Sequence, residues 1–122
     1  MKNDILEQWF LIQFKPNSHK IANRNLQIQG FETFLPLFEI TKRKQQSFLT
    51  DLKPLFPGYM FVKFNPNLPQ WRAIKGTFGV SRVVSFGNKL SVVPMELIKG
   101  LMQRCDKNGR FIIPKDFNIG NK

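Results

Sequence analysis

The chain has 122 residues, one core's worth, and carries 19 Lys and Arg against 8 Asp and Glu for a formal net charge of +11, which points to a polyanion or an acidic protein surface as partner. Its single Cys and single His exclude an intramolecular disulfide and a cysteine or histidine metal cluster. No run approaches the roughly 20 apolar residues of a membrane span and no signal-like stretch opens the chain, so a cytoplasmic protein needing no metal and no cofactor is expected.

Trp9 to Phe14 alternates as a first strand, with Phe10, Ile12 and Phe14 on one face and Trp9, Leu11 and Gln13 on the other. Pro16-Asn17 ends it, and Ser18 is placed to cap a helix to about Gln29 that turns Ile21, Ala22 and Leu26 inward and Lys20, Asn23, Arg24 and Gln27 outward. Gly30 stops that helix. An extended segment from Phe31 to about Thr41, broken at Pro36, leads into the basic tip Lys42-Arg43-Lys44 of a protruding hairpin or loop.

Pro57-Gly58 has the residues of a type II turn, and a strand follows from Tyr59 to Phe64. Met60, Val62 and Phe64 share one face of it; Tyr59, Phe61 and the stem of Lys63 share the other. A strand apolar on both faces needs cover on both, from the same chain or from a second molecule. After a turn through Asn65-Pro66, Gln70 to Lys75 reads as a short helix ending at Gly76. Val80 to Phe86 is another strand, Gly87-Asn88 a tight turn into Lys89 to Val93, and Pro94 suits the first position of a last helix with the stripe Leu97, Ile98, Leu101 and Met102. Beyond Cys105 the chain reads as a linker.

About three helices among about four to six strands give an α+β sandwich with a mainly antiparallel sheet. Catalysis finds no support: the one His lies far in sequence from Cys105, the carboxylates form no paired motif, and no Gly-rich phosphate loop is present. A binding protein rather than an enzyme is expected, and a monomer, since the net charge opposes self-association through an apolar patch.

The run Pro54-Leu55-Phe56-Pro57-Gly58-Tyr59-Met60-Phe61-Val62, taken with Trp9 upstream and Gly79-Val80-Ser81-Arg82-Val83-Val84-Ser85-Phe86-Gly87 downstream, resembles the N-terminal domain of bacterial NusG-type transcription elongation factors. Thr77-x-Gly79-Val80-Ser81 and Val84-x-Phe86-Gly87 are closer to the spelling of the specialised, RfaH-like antitermination paralogues. The match runs in register from Trp9 to about Arg104. It implies an N-terminal domain over 1–105 and a linker over 106–122 toward a KOW domain that lies outside this chain. The implied function is to bind RNA polymerase across its main cleft, hold the clamp closed and suppress pausing and termination, with contact to non-template DNA.

The resemblance places Tyr59 and Phe61 in an apolar depression, left open by the chain itself, that grips the helical coiled coil of the polymerase clamp. Phe86 and Ile98 fall on two further positions of that depression, and Gln13 on one that is usually aromatic or apolar. Arg72, in the short helix, is the candidate for a contact with the opposite jaw, where Trp71 resembles the general factor. A DNA-facing patch is implied at Lys15, Lys20, Asn23, Arg24, Asn25, Thr77 and Phe78. Asn25 stands where RfaH-like members use a histidine and Phe78 where they use an arginine, so a different DNA sequence is expected to be read. Lys42, Arg43 and Lys44 are candidates for upstream duplex DNA. Apart from the resemblance, the residues also fit a stand-alone single-stranded nucleic-acid binder whose sheet aromatics stack bases.

Overall fold

The computed structural model describes residues 7–113. A central antiparallel sheet has the order β2-β5-β1-β6, built from β1 (Gln8–Phe14), β2 (Glu32–Phe34), β5 (Tyr59–Phe64) and β6 (Val80–Val83). A short β9 (Val92–Val93) pairs Trp9 and Phe10 on the β6 side of β1. Helix α1 (His19–Ile28) and a 3₁₀ helix (Pro69–Ile74) pack on one face of this sheet, and α2 (Met95–Gln103) packs on the other. The expected α+β architecture is the one observed.

Local chemistry explains the element ends. Pro57 and Gly58 form the corners of the turn before β5: Gly58 takes φ 90°, and the Tyr59 amide donates to the Phe56 carbonyl at 2.9 Å, the type II turn read from the sequence. Gly30, at φ 95°, closes α1 with two backbone bonds, from its own amide to the Gln27 carbonyl and from Phe31 to the Leu26 carbonyl. Phe31 then packs against the cluster that contains Leu26. Ser18 stands at the start of α1 but makes no cap; its hydroxyl donates to the Pro16 carbonyl instead. Pro94 sits at the N-cap of α2 rather than inside its first turn.

Two expected strands are divided. The Phe31–Thr41 segment breaks at Leu35-Pro36 into β2 and β3 (Leu37–Lys44), and β3 pairs over its whole length with β4 (Ser47–Pro54) in a hairpin that makes no ladder with the central sheet. Gln45, at φ 57°, turns it. The Val80–Phe86 strand stops at Val83; Val84 donates its amide to the Leu11 carbonyl, and β7 (Ser85–Phe86) swings out to pair with β8 (Lys89–Leu90). Residues 106–113, read as the start of a linker, fold back on the domain. Asp106 caps a tight turn by accepting from the Asn108 and Arg110 amides, the Phe111 amide donates to the Leu37 carbonyl, and Arg110 pairs with Glu39 at 2.6 Å. Those two amides, Arg110 foremost, hold the Asp106 carboxyl below its usual range.

The main core lies between the sheet and α1. Phe10, Ile12, Phe14, Met60, Val62 and Phe64 meet Ala22, Leu26 and Ile74 there, and Phe10, Phe64 and Trp71 form a continuous ring stack, with centroids 4.2 and 5.4 Å apart. Trp9, Phe61 and Ile98 form a smaller core on the opposite face.

Candidate functional site

The strand register sets the layout of the face that carries the proposed anchors. Tyr59, Gln13 and Arg82 lie side by side across β5, β1 and β6, and the next row holds Phe34, Phe61 and Leu11. Phe61 is 4 % exposed: Phe56 meets it edge-on at 5.7 Å, Phe34 stacks at 5.8 Å, and Ile98, with no exposed surface, belongs to the same cluster. The expectation that the Tyr59 and Phe61 rings are both left open by their own chain is therefore corrected for Phe61, and Ile98 is equally sealed. Helix α2 needs apolar surface beneath its Ile98–Leu101 stripe, and this face of the sheet supplies it. The same cover removes Phe61 as a base-stacking platform, which the stand-alone nucleic-acid reading required. Tyr59 stays half-buried, and Phe86, carried out on β7, is 77 % exposed and belongs to neither core cluster. Gln13 is held within the molecule, its side-chain oxygen accepting from Arg82 Nε at 2.9 Å.

On the α1 side the DNA candidates divide into exposed cations and internal ties. Lys20 and Arg24 are exposed one helical turn apart, and Lys15, also exposed, is fixed by its amide on the Gly79 carbonyl at 2.9 Å. Phe78 is 78 % exposed beside them, its carbonyl accepting from the Asn25 side chain. Thr77 is instead buried: its hydroxyl donates to the Ala73 carbonyl and accepts from the Gln29 amide, which leaves no surface for a ligand. Asn23 is similarly occupied, taking the Thr33 hydroxyl. Thr77, Asn23 and Asn25 thus position Phe78 and α1.

The hairpin tip exposes Lys42, Arg43 and Lys44, as expected. Lys42 is partly balanced by Asp51 at 3.8 Å, an exposed pair worth little. Phe48, 70 % exposed, lies opposite Arg43, and Leu49 opposite Lys42. These two apolar tip residues had no signal beyond resuming an apolar run. Arg72 is exposed on the 3₁₀ helix, while Trp71 beside it is half-buried, stacked on Phe64 and bonded through its indole N–H to the Pro66 carbonyl.

His19 faces the crevice between the start of α1 and the base of the hairpin, its Nε2 buried without a partner. Burial first, then the charges of Lys20 and Lys53, push its pKa below 6.5. Because the folded state resists protonation more than the unfolded chain does, the unfolded chain binds more protons in the window below pH 6.5 and stability falls as the pH drops through it. We expect His19→Gln to flatten that part of the thermal-midpoint profile. Burial, then Asp106, raises the Cys105 thiol, and its Sγ is engaged with the Leu101 carbonyl. Among the described residues no His, Cys, Asp and Glu group has metal-ligand proximity, and no helix is long and apolar enough to cross a membrane.

The family model described as transcription termination factor nusG matches residues 7–102. The solved structure titled "Domain interaction in Thermotoga maritima NusG" superposes with a TM-score of 0.61 at 16% identity, over 97% of this chain and 69% of that one. At that identity the superposition establishes the shared fold.

Proposed function

Since the chain belongs to the NusG family of transcription factors, which act with RNA polymerase, we propose that it is a polymerase-docking domain that spans the main cleft and holds the clamp closed. Supporting this reading most directly are two rings outside the small core of Phe61 and Ile98: Tyr59, half-buried on the same strand face as Phe61, and Phe86, exposed on β7. In this form the core residues act through shape, and the two outer rings are the anchors that a helical coiled coil covers. Aromatic anchors carry most of the energy of such an interface, while the +11 charge speeds encounter with an acidic partner.

A domain that prefers the closed clamp depletes paused states by population shift; a tenfold preference contributes about 1.4 kcal/mol. Lys15, Lys20, Arg24 and Phe78 are proposed to meet the non-template strand, and the hairpin tip to meet upstream duplex. Arg72 is proposed to reach the opposite jaw of the cleft. The specialised RfaH-like role rests on the Thr77-to-Ser81 and Val84-to-Gly87 spelling. The test is transcription through a defined pause by a purified bacterial polymerase: the chain is expected to shorten pause lifetimes, and Tyr59→Ala with Phe86→Ala to abolish that effect. Unchanged lifetimes with the parent chain would reject the antipausing reading.

A further inference from the structure

A crevice of about 660 Å³ lies between the 3₁₀ helix, β6 and the β7–β8 hairpin. Arg72, Lys75 and Arg82 line it together with Trp71, Val83 and Leu90, and no carboxylate lines it. None of the three cations pairs with a carboxylate among the described residues. Cations without a carboxylate beside them around one opening make it a favourable place for an anionic ligand. The volume falls within the range of about 300–1,000 Å³ typical of small-ligand sites.

Arg82 is held elsewhere: its Nε donates to Gln13 Oε1 at 2.9 Å, on the opposite face of the sheet from Trp71, Val83 and Leu90, which leaves Arg72 and Lys75 as the cations for a ligand in the crevice. Trp71 is held in place by Phe64 and by the Pro66 carbonyl, and with Val83 and Leu90 it gives the crevice an apolar wall. A simple inorganic anion would use the cations and waste that wall. A ligand joining a phosphate to a flat aromatic group uses both.

We propose that this crevice is a nucleotide seat, with the phosphate held by Arg72 and Lys75 and the base set against Trp71, Val83 and Leu90. The nucleotide comes either free or within a single strand, and the seat is separate from the Lys15, Lys20, Arg24 and Phe78 surface. It requires no polymerase, so its failure leaves the docking proposal standing.

The test titrates the full chain with adenosine monophosphate and, separately, with a short oligo-thymidylate, following tryptophan fluorescence. Quenching by the mononucleotide identifies a free ligand as sufficient; quenching by the strand alone identifies a strand-borne one. In either case Arg72→Gln with Lys75→Gln, both at exposed positions, is expected to weaken binding about tenfold and, for the strand, to flatten the salt dependence by about 0.7 for each phosphate no longer neutralised. The control Lys99→Gln with Arg104→Gln removes the same charge elsewhere and is expected to change affinity less than twofold. Equal weakening in both double variants, or none in either, would overturn the proposal by reducing the binding to net charge. Poly-glutamate binding as tightly as the strand, and weakened equally in the Arg72 and Lys75 variant, would overturn it by making the occupant an acidic peptide.

Discussion

Replacing Gly79 with alanine is expected to destabilise the domain by about 3 kcal/mol, adding backbone strain to an overpacked contact. Gly79 sits at φ 94°, where a side chain is strained, and a Cβ there would lie 2.8 Å from the Ala22 nitrogen and 3.0 Å from its Cα. Those are backbone atoms of a helix already buried against the sheet, so they cannot step aside as the end of a long side chain does. The same contact sets the Lys15 amide on the Gly79 carbonyl and keeps Phe78 beside α1. Gly87→Ala is the internal comparison, with φ 59° and nothing within 4 Å of its added Cβ. It is expected to cost only about 1–2 kcal/mol, the conformational penalty alone. Urea denaturation of both variants separates the two contributions. Equal midpoints would mean that the approach of β6 to α1 is looser than described.

Phe61→Ala is expected to cost about 3–5 kcal/mol of stability, and Ile98→Ala about 2–5, because each empties a site in the small core beneath α2. Neither is a clean test of partner binding, since a domain of this size has about 5–15 kcal/mol of stability in all. By contrast Phe86→Ala removes a ring that is 77 % exposed, and a change of about 0.5 kcal/mol or less is expected. Differential scanning calorimetry on the single variants checks the contrast. If Phe61→Ala melts with the parent, the ring is not the core element described, and the open-depression geometry read from sequence regains its force.

What could be read from the sequence divides along physical lines. The turn at Pro57-Gly58, the close of α1 at Gly30 and the two-faced apolar strand at Tyr59 to Phe64 are governed by local dihedral preferences and by period, so they were legible. Strand β4 was not: the hairpin leaves the body, both its faces meet water over most of its length, and no alternation of burial marks it. The departure of β7 at Val84 was also hidden, because the residues on either side have ordinary strand composition and only the pairing with β8 shows that Phe86 swings out. For the site, the sequence announces that the Tyr59 and Phe61 face needs cover but cannot tell a helix of the same chain from a partner. That choice is tertiary, made by Ile98 and Leu101 of α2. Thr77 illustrates the same limit, since a threonine in a turn reads as available until Gln29 and Ala73 are seen to occupy it.

The docking face is tested most directly by isothermal titration of the purified chain into a folded fragment of the polymerase clamp coiled coil. Saturable binding is predicted, and Tyr59→Ala with Phe86→Ala is predicted to weaken it by about 1–4 kcal/mol while the thermal midpoint shows that the fold is kept. An affinity identical in parent and double variant, or no heat of binding with the parent chain, would contradict the assignment of that face.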